Sequence, residues 1–257
     1  MICPVPDELA GMTPAWSDEF DGPAGSLPDP GTWTAETGGS GWGNQELEYY
    51  TADENAELDG ASHLVITVRR TGRRDRGRRY GGCRYTSARL ITSGRVAVRY
   101  GLVQARMKLP GGRGMWPAFW MLGQDIEQAG WPRCGEIDVM ENFGRDPAEV
   151  QGAVHGLGYS GAHAVTGSHR AGFSLAEGFH TYSVAWEPDR IRWFLDDRHY
   201  ATVTPRDLRG HQWVFDHEFF LLVNVAVGGV ASVPPDRSVT FPQRLLVDYV
   251  RVYELQP

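Results

Sequence analysis

The segment Trp131-Pro132-Arg133-Cys134-Gly135-Glu136-Ile137-Asp138-Val139-Met140-Glu141 sets three carboxylates within six residues among largely apolar neighbours. Glu136, Ile137, Asp138 and Val139 alternate polar with apolar, which puts Glu136 and Asp138 on one face of a β-strand and Ile137 and Val139 on the other. Glu141 falls out of that period by one residue. A single β-bulge near Met140 returns it to the acidic face, and bulges are common beside active sites. Two carboxyl groups flanking a bond are the minimal apparatus of glycoside hydrolysis, and a separation of about 5 to 5.5 Å marks the retaining route. Four regular steps of about 3.3 Å put the outer Cα atoms about 13 Å apart, so these side chains converge only over a concave surface. Spacing alone also admits an acidic surface strand or a cluster of calcium ligands.

The elements that must position such a row read as strands. Apolar residues alternate in His63 to Val68, Val103 to Leu109, Thr181 to Trp186 and Val247 to Tyr253, with Gly, Pro and Asp between the runs. Phe219 to Val227 is apolar almost throughout, as in a strand covered on both faces. A length of 257 residues, 32 glycines and 16 prolines suit a single all-β domain over 1–257 with many turns, a two-sheet antiparallel β-sandwich or jelly roll with a concave cleft. Residues 1–12 are expected to be a loosely ordered segment.

Several other runs carry a resemblance. Gly41-Trp42-Gly43-Asn44-Gln45-Glu46, Tyr85-Thr86-Ser87-Ala88-Arg89-Leu90, Gly114 to Gly123 and Asn224-Val225-Ala226-Val227-Gly228-Gly229, together with Glu136 to Glu141, resemble motifs of the bacterial laminarinase branch of glycoside hydrolase family 16. The likeness extends from Trp16-Ser17-Asp18-Glu19-Phe20 to Val247–Tyr253, and the extra residue between Asp138 and Glu141 is the bulged form of that branch. The resemblance implies an endo-acting, retaining hydrolase of β-1,3-glucan with Glu136 as nucleophile, Glu141 as acid and base, and Asp138 between them hydrogen-bonding Glu136. Two rival classes are a non-catalytic β-glucan recognition protein, which in this fold loses the glutamates present here, and a same-fold hydrolase or transglycosylase acting on mixed-linkage glucan or a galactan.

Sugars present apolar C–H faces that stack on flat rings. Trp16, Trp33, Trp186 and Trp193 are read as packing residues, whereas Trp116 and Trp120, four apart on one strand face, are matched by the resemblance to the glycan cleft. So are Trp42 and Trp131. Asn44 and Arg89 would offer donors to sugar hydroxyls, with a structural ion pair as the alternative for Arg89, and His155 would stand close to the carboxylates, where a neutral imidazole could hydrogen-bond Asp138 or the leaving sugar. The resemblance further implies a structural calcium ion held by the Asp248 carboxylate and the backbone carbonyls of Glu19 and Gly60, an oxygen-only set that suits this cation. No catalytic cofactor is implied. One departure stands out: where the family commonly continues Asn-Trp-Pro-Gly after the two glycines, this chain reads Val230-Ala231-Ser232-Val233-Pro234-Pro235-Asp236, so an aromatic wall is missing.

A net charge of −7 argues against a nucleic-acid partner. The basic run Arg69 to Arg79 is read as a solvated hairpin loop between two strands, with no aromatic inside it to stack a base. Of three cysteines, Cys83 and Cys134 are expected as free thiols, although a bridge between them is conceivable, and Cys3 as a tail residue. No apolar stretch approaches a membrane span, so a soluble protein is expected; nothing requires more than a monomer, and a secreted or extracellular location is expected although no signal peptide is visible.

Overall fold

The computed structural model describes residues 11–254; Cys3 and most of the 1–12 segment lie outside the described residues. Ten strands form one sheet in the order Arg198–Val203, Arg190–Leu195, His180–Glu187, Gly101–Lys108, Gln243–Glu254, Leu64–Arg70, Tyr85–Ser87, Glu48–Tyr50, with Thr13–Asp18 against Gln243–Glu254 and Ala56–Leu58 against Leu64–Arg70. Eight form the other: Val165–Arg170, Glu149–His155, Glu136–Glu141, Met115–Gly123, Phe219–Val227, Arg89–Ile91, Thr34–Ala35, with Ala97–Val98 also against Phe219–Val227. The two sheets pack as the expected sandwich, and the strand runs read from the sequence all fall in it.

One pairing departs from the antiparallel expectation. Glu48–Tyr50 runs parallel to Tyr85–Ser87. Between them the chain reverses twice in antiparallel pairs, Ala56–Leu58 with Leu64–Arg70 and Leu64–Arg70 with Tyr85–Ser87, and so returns to its starting direction.

Phe219–Val227 shows how the sandwich and the cleft share a strand. All nine residues are buried. Phe219, Leu221, Val223, Val225 and Val227 join the core between the sheets, while Phe220 and Leu222 pack on the other face with Leu122 and Cys134. Period-two geometry therefore leaves Asn224 and Ala226 on that second face, which is the face of the acids. Trp33, Trp186 and Trp193 are core residues and Trp16 packs partly against the core, in keeping with the packing role read for them.

The basic run departs from an open loop. Arg73–Arg78 forms a six-residue helix without a buried side chain, closed by backbone bonds from Arg76 to Gly72 and from Arg79 to Asp75. Among the described residues no helix is long and apolar enough to cross a membrane.

Candidate active site

The acidic segment is a strand, Glu136–Glu141, and its bulge is where alternation demands one. Against Met115–Gly123 the register runs Glu136 to Leu122, Ile137 to Met121 and Asp138 to Trp120, then resumes with Met140 at Phe119 and Glu141 at Ala118. Val139 is the extra residue. The same shift occurs against Glu149–His155, where Asp138 faces Ala153 and Glu141 faces Gln151. Glu141 thereby regains the face of Glu136 and Asp138. A bulge leaves ladder groups in need of partners. The Asp138 carbonyl finds one across the core, accepting from Trp193 Nε1 at 2.8 Å. Gly152 makes room for that indole: a Cβ there would lie 2.2 Å from the Trp193 ring.

The two glutamates sit in unlike surroundings. Glu141 Oε1 accepts from Trp116 Nε1 at 2.9 Å and Oε2 from the Gln151 amide at 3.3 Å. Burial of the carboxyl, reinforced by the charge of Glu136, holds Glu141 above the ordinary carboxylate range, against the opposing pull of the Trp116 donor and His155. Glu136 lies at the open end of the row. Its Oε2 accepts from Trp131 Nε1 at 2.5 Å, and Trp131 is 51% exposed, so one ring lines the cleft and also fixes the carboxylate's rotamer.

Asp138 decides between the two partners read for it from the sequence. Its carboxylate partner is His155, Nε2 to Oδ2 at 3.0 Å, and not Glu136. His155 is directly opposite Glu136 on the adjacent strand, so the imidazole reaches into the row and takes the hydrogen bond. The Gly161 N–H donates to Nδ1 at 3.1 Å, so Nδ1 keeps its lone pair and the proton sits on Nε2. Burial alone would lower the His155 pKa, but the hydrogen bond to Asp138 and the charges of all three carboxylates push it up to about 9. Asp138 itself is raised well above its usual range by burial and then by Glu136 and Glu141. The proton on Nε2 is shared with Asp138, and a second one, which the raised pKa favours near neutral pH, would take the Nδ1 lone pair from Gly161. One donor atom from each of Glu136, Asp138 and His155 lies within 4.8 Å of the others, a cluster that Trp131, Gly161 and the shared proton already bind together.

Trp116 and Trp120 share the acid face as read. Trp116, however, is only 9% exposed, and its polar edge serves Glu141. Trp120 donates to Asn224 Oδ1 at 2.7 Å. For Arg89 the ion-pair alternative holds: its guanidinium binds Glu36 and lies between the rings of Trp42 and Trp120, 4.8 and 4.7 Å from their centroids. It braces the cleft's aromatics. The Asn44 amide donates to Glu46 Oε1 at 3.0 Å, and Trp42 Nε1 to the Gly38 carbonyl at 3.1 Å.

Behind Asn44 lies a set the sequence reading passed over. Glu46 and Glu48 are 8% and 0% exposed. Tyr50 Oη donates to Glu46 Oε2, Asn224 donates to Tyr50 Oη, and Val227 N–H donates to Glu48 Oε2 at 2.6 Å. Glu48 Oε1 is buried with no other hydrogen-bond partner. Burial, then the neighbouring Glu46, raise Glu48 well above the carboxylate range. Two signals were available in the sequence: Glu46 and Glu48 repeat the two-residue acid spacing, and Asn224 is the one polar residue in Phe219–Val227. Gln151, four residues before His155, shares its strand face for the same reason.

At the proposed calcium position, Asp248 binds the Arg106 guanidinium and the Glu19 side chain forms a two-pronged pair with Arg251 at 2.9 and 2.7 Å. The guanidinium must yield the Asp248 carboxylate before a cation can take it. Cys83 and Cys134 are free thiols, and burial pushes Cys134 up to about 11.

A β-sandwich whose sheet face carries a buried proton-holding glutamate and a cleft-facing glutamate on one bulged strand is a glycoside hydrolase, since each half of the displacement then has its group. The chain belongs to the glycosyl hydrolases family 16, whose family model matches residues 43–234. It is 43% identical over 255 residues to a beta-glucanase of Rhodothermus marinus, covering 93% of this chain and 84% of that protein. The laminarinase catalytic domain of Thermotoga maritima matches with a TM-score of 0.88 and 42% identity over 96% of this chain and 99% of that one. SCLam, a non-specific endo-beta-1,3(4)-glucanase solved with 1,3-beta-D-cellobiosyl-glucose at its active site, matches with a TM-score of 0.85 and 35% identity over 96% of each chain.

Proposed function

We propose that the enzyme cleaves internal β-1,3 bonds of a laminarin-like glucan with retention of anomeric configuration. The observation that carries this reading is the asymmetry of the two glutamates. Glu136, pinned through Oε2 by Trp131, attacks the anomeric carbon. Glu141, held above the carboxylate range by burial, gives its proton to the leaving glycosidic oxygen as that bond breaks. The glycosyl-Glu136 ester carries no charge. The charge that had helped to raise Glu141 is then gone, its proton affinity falls, and it takes a proton from the water that releases the sugar. Both carboxylates end as they began. Asp138 and His155 keep their hydrogen bond beside Glu136 through both steps and neither gives up a proton to the sugar. The chemistry calls on no cofactor.

Val230, 63% exposed, stands where the aromatic wall is absent, and its N–H binds the Asn44 carbonyl at 2.7 Å. An exposed aliphatic residue in place of an aromatic one favours acceptance of mixed-linkage β-1,3-1,4-glucan as a second substrate. The same reading places the enzyme outside the cell as a monomer, where polymeric glucan is met. A calcium ion on Asp248 with the carbonyls of Glu19 and Gly60 belongs to the proposal as a structural element only, and a melting temperature unmoved by chelation and by added calcium would remove it.

The test is reducing-end release from laminarin, with lichenan in parallel and Glu136→Gln as control, and proton NMR of the first-formed anomer. Release of the β-anomer that vanishes in the variant, with glucan binding retained, is the expected result. Binding without release from either polymer would make the protein a recognition module.

A further inference from the structure

The catalytic reading leaves the arginine-rich segment unused. Between Arg69 and Arg84 there are eight arginines and one acid, Asp75, in a chain whose net charge is −7. Arg79 pairs with Glu54 at 2.7 Å, and Arg69 donates to the Glu54 carbonyl. Among the described residues no carboxylate pairs with Arg70, Arg73, Arg74, Arg76, Arg78 or Arg84. Arg70, Arg76 and Arg84, with Tyr85, line a recess of about 230 Å³. Arg70 is set in place by the Phe241 ring, 5.3 Å from its centroid, and Arg76 by a hydrogen bond to Thr71. Like charges gathered this way repel one another, and the helix Arg73–Arg78 buries no side chain that would offset this. An external anion would.

The loop is also next to the cleft. Tyr80 packs on Tyr49 with centroids 5.7 Å apart, and the Cys83 thiol donates to the Gly39 carbonyl, one residue from the Gly38 carbonyl that receives Trp42. A chain bound to the arginines therefore lies beside the Trp42 end of the glucan site.

We propose that this loop docks the enzyme onto an acidic polysaccharide, a chain of sugar carboxylates. Guanidinium groups match carboxylates as a two-pronged fork. A polyuronate supplies one charge per sugar, and the otherwise acidic enzyme would be repelled by it without such a patch. Nucleic acid fits less well, because Tyr80 and Tyr85 are buried and leave no ring for a base to stack on. The inference rests on the polysaccharide-hydrolase reading for its choice of partner.

The experiment measures retention of the whole chain on alginate gel at about 0.05 and 0.5 M NaCl, beside single-stranded polynucleotide on the same support. The comparison protein carries Arg73→Gln, Arg74→Gln, Arg76→Gln and Arg78→Gln, substitutions that remove charge from an exposed helix. The expected result is alginate binding that weakens at least tenfold in the variant and in high salt, with release from soluble laminarin unchanged. Release from laminarin set in an alginate gel falls several-fold. Equal retention of both proteins, or tighter binding to the polynucleotide than to alginate, overturns the proposal. Failure to cleave laminarin would instead count against the catalytic reading, since retention on alginate is scored without turnover.

Discussion

Replacing Trp116 by Phe deletes one N–H donor from the acid while leaving a ring to pack against Phe143, whose centroid is 5.5 Å from that of Trp116. The lost bond is the one from Nε1 to Glu141 Oε1 at 2.9 Å, in a place only 9% exposed. It strengthens when Glu141 is charged, so it works against the burial that raises this carboxyl. A hydrogen bond to a charged group contributes about 1.5–3 kcal/mol, and one pKa unit corresponds to about 1.4 kcal/mol. Complete loss would raise Glu141 by about one to two units by those figures. Water entering the space left by the pyrrole half of the indole restores part of the donor, so the expected shift is about one unit.

Two assays read it. In the free enzyme the acid must be protonated, so the alkaline limb of kcat/KM against pH moves up by about one unit while the acid limb stays. Stability gives an independent check. A carboxyl whose folded pKa exceeds its unfolded value stabilises at low pH, and that contribution is lost as pH rises through the folded pKa. Trp116→Phe raises the folded value further, so its cost is larger at pH 8, with Glu141 ionised, than at pH 4. The excess of about 1–2 kcal/mol corresponds to a Tm difference of about 2–8 °C in a domain of this size. An alkaline limb that stays in place, with equal Tm losses at both pH values, would refute the assignment of Glu141 as the proton donor held in check by Trp116.

Glu48→Gln should stabilise the protein at pH 8 by about 2–4 °C and have a smaller effect at pH 4. The raised carboxyl of Glu48 costs stability as pH rises above the unfolded carboxylate value, and Gln can keep the contact to Val227 without a titrating proton; a lowered Tm at pH 8 contradicts this. Gly152→Ala drives a methyl group into Trp193, so a loss of about 1–3 kcal/mol is expected, with kcat falling more than KM changes. Unaltered thermal unfolding and turnover would show that the indole has room to move. Trp131→Phe keeps the exposed ring but removes the Glu136 donor, and Trp131→Ala removes both. Kinetics on laminarin should show mainly a kcat loss in the first and an added KM increase of about tenfold in the second, and the reverse order would separate Trp131 from the nucleophile.

The acid row was legible because it combines two periods that only a bulged strand reconciles, and the strand core of Phe219–Val227 because a nine-residue apolar run has few other homes. Partner choice was less so. Asp138 and Glu136 are neighbours on one face, which suggested a bond between them beside the bond to His155, and the register of the next strand, which the sequence does not state, decides for His155. Arg89 offered both a sugar contact and an ion pair, and Glu36, 53 residues earlier, decides between them. Glu46 and Glu48 escaped notice for a related reason. Acids at two-residue spacing are ordinarily a solvated edge, and their burial depends on the chain's double reversal to a parallel pairing with Tyr85–Ser87.

The fold divides labour across the thickness of one sheet. On the core side, Trp193 secures the Asp138 carbonyl at the bulge, so the catalytic strand is held by a residue that never meets substrate. On the cleft side, each carboxyl has its own donor, Trp131 for Glu136, His155 for Asp138 and Trp116 for Glu141. Three acids on one short strand repel one another and resist burial, and hydrogen bonds from ring N–H groups relieve that cost. The charge needed for attack and the proton needed for departure are thus kept a few residues apart. The arginines of this chain are correspondingly placed elsewhere, with Arg89 behind the aromatic wall on Glu36 and the densest group beyond the cleft's Trp42 end.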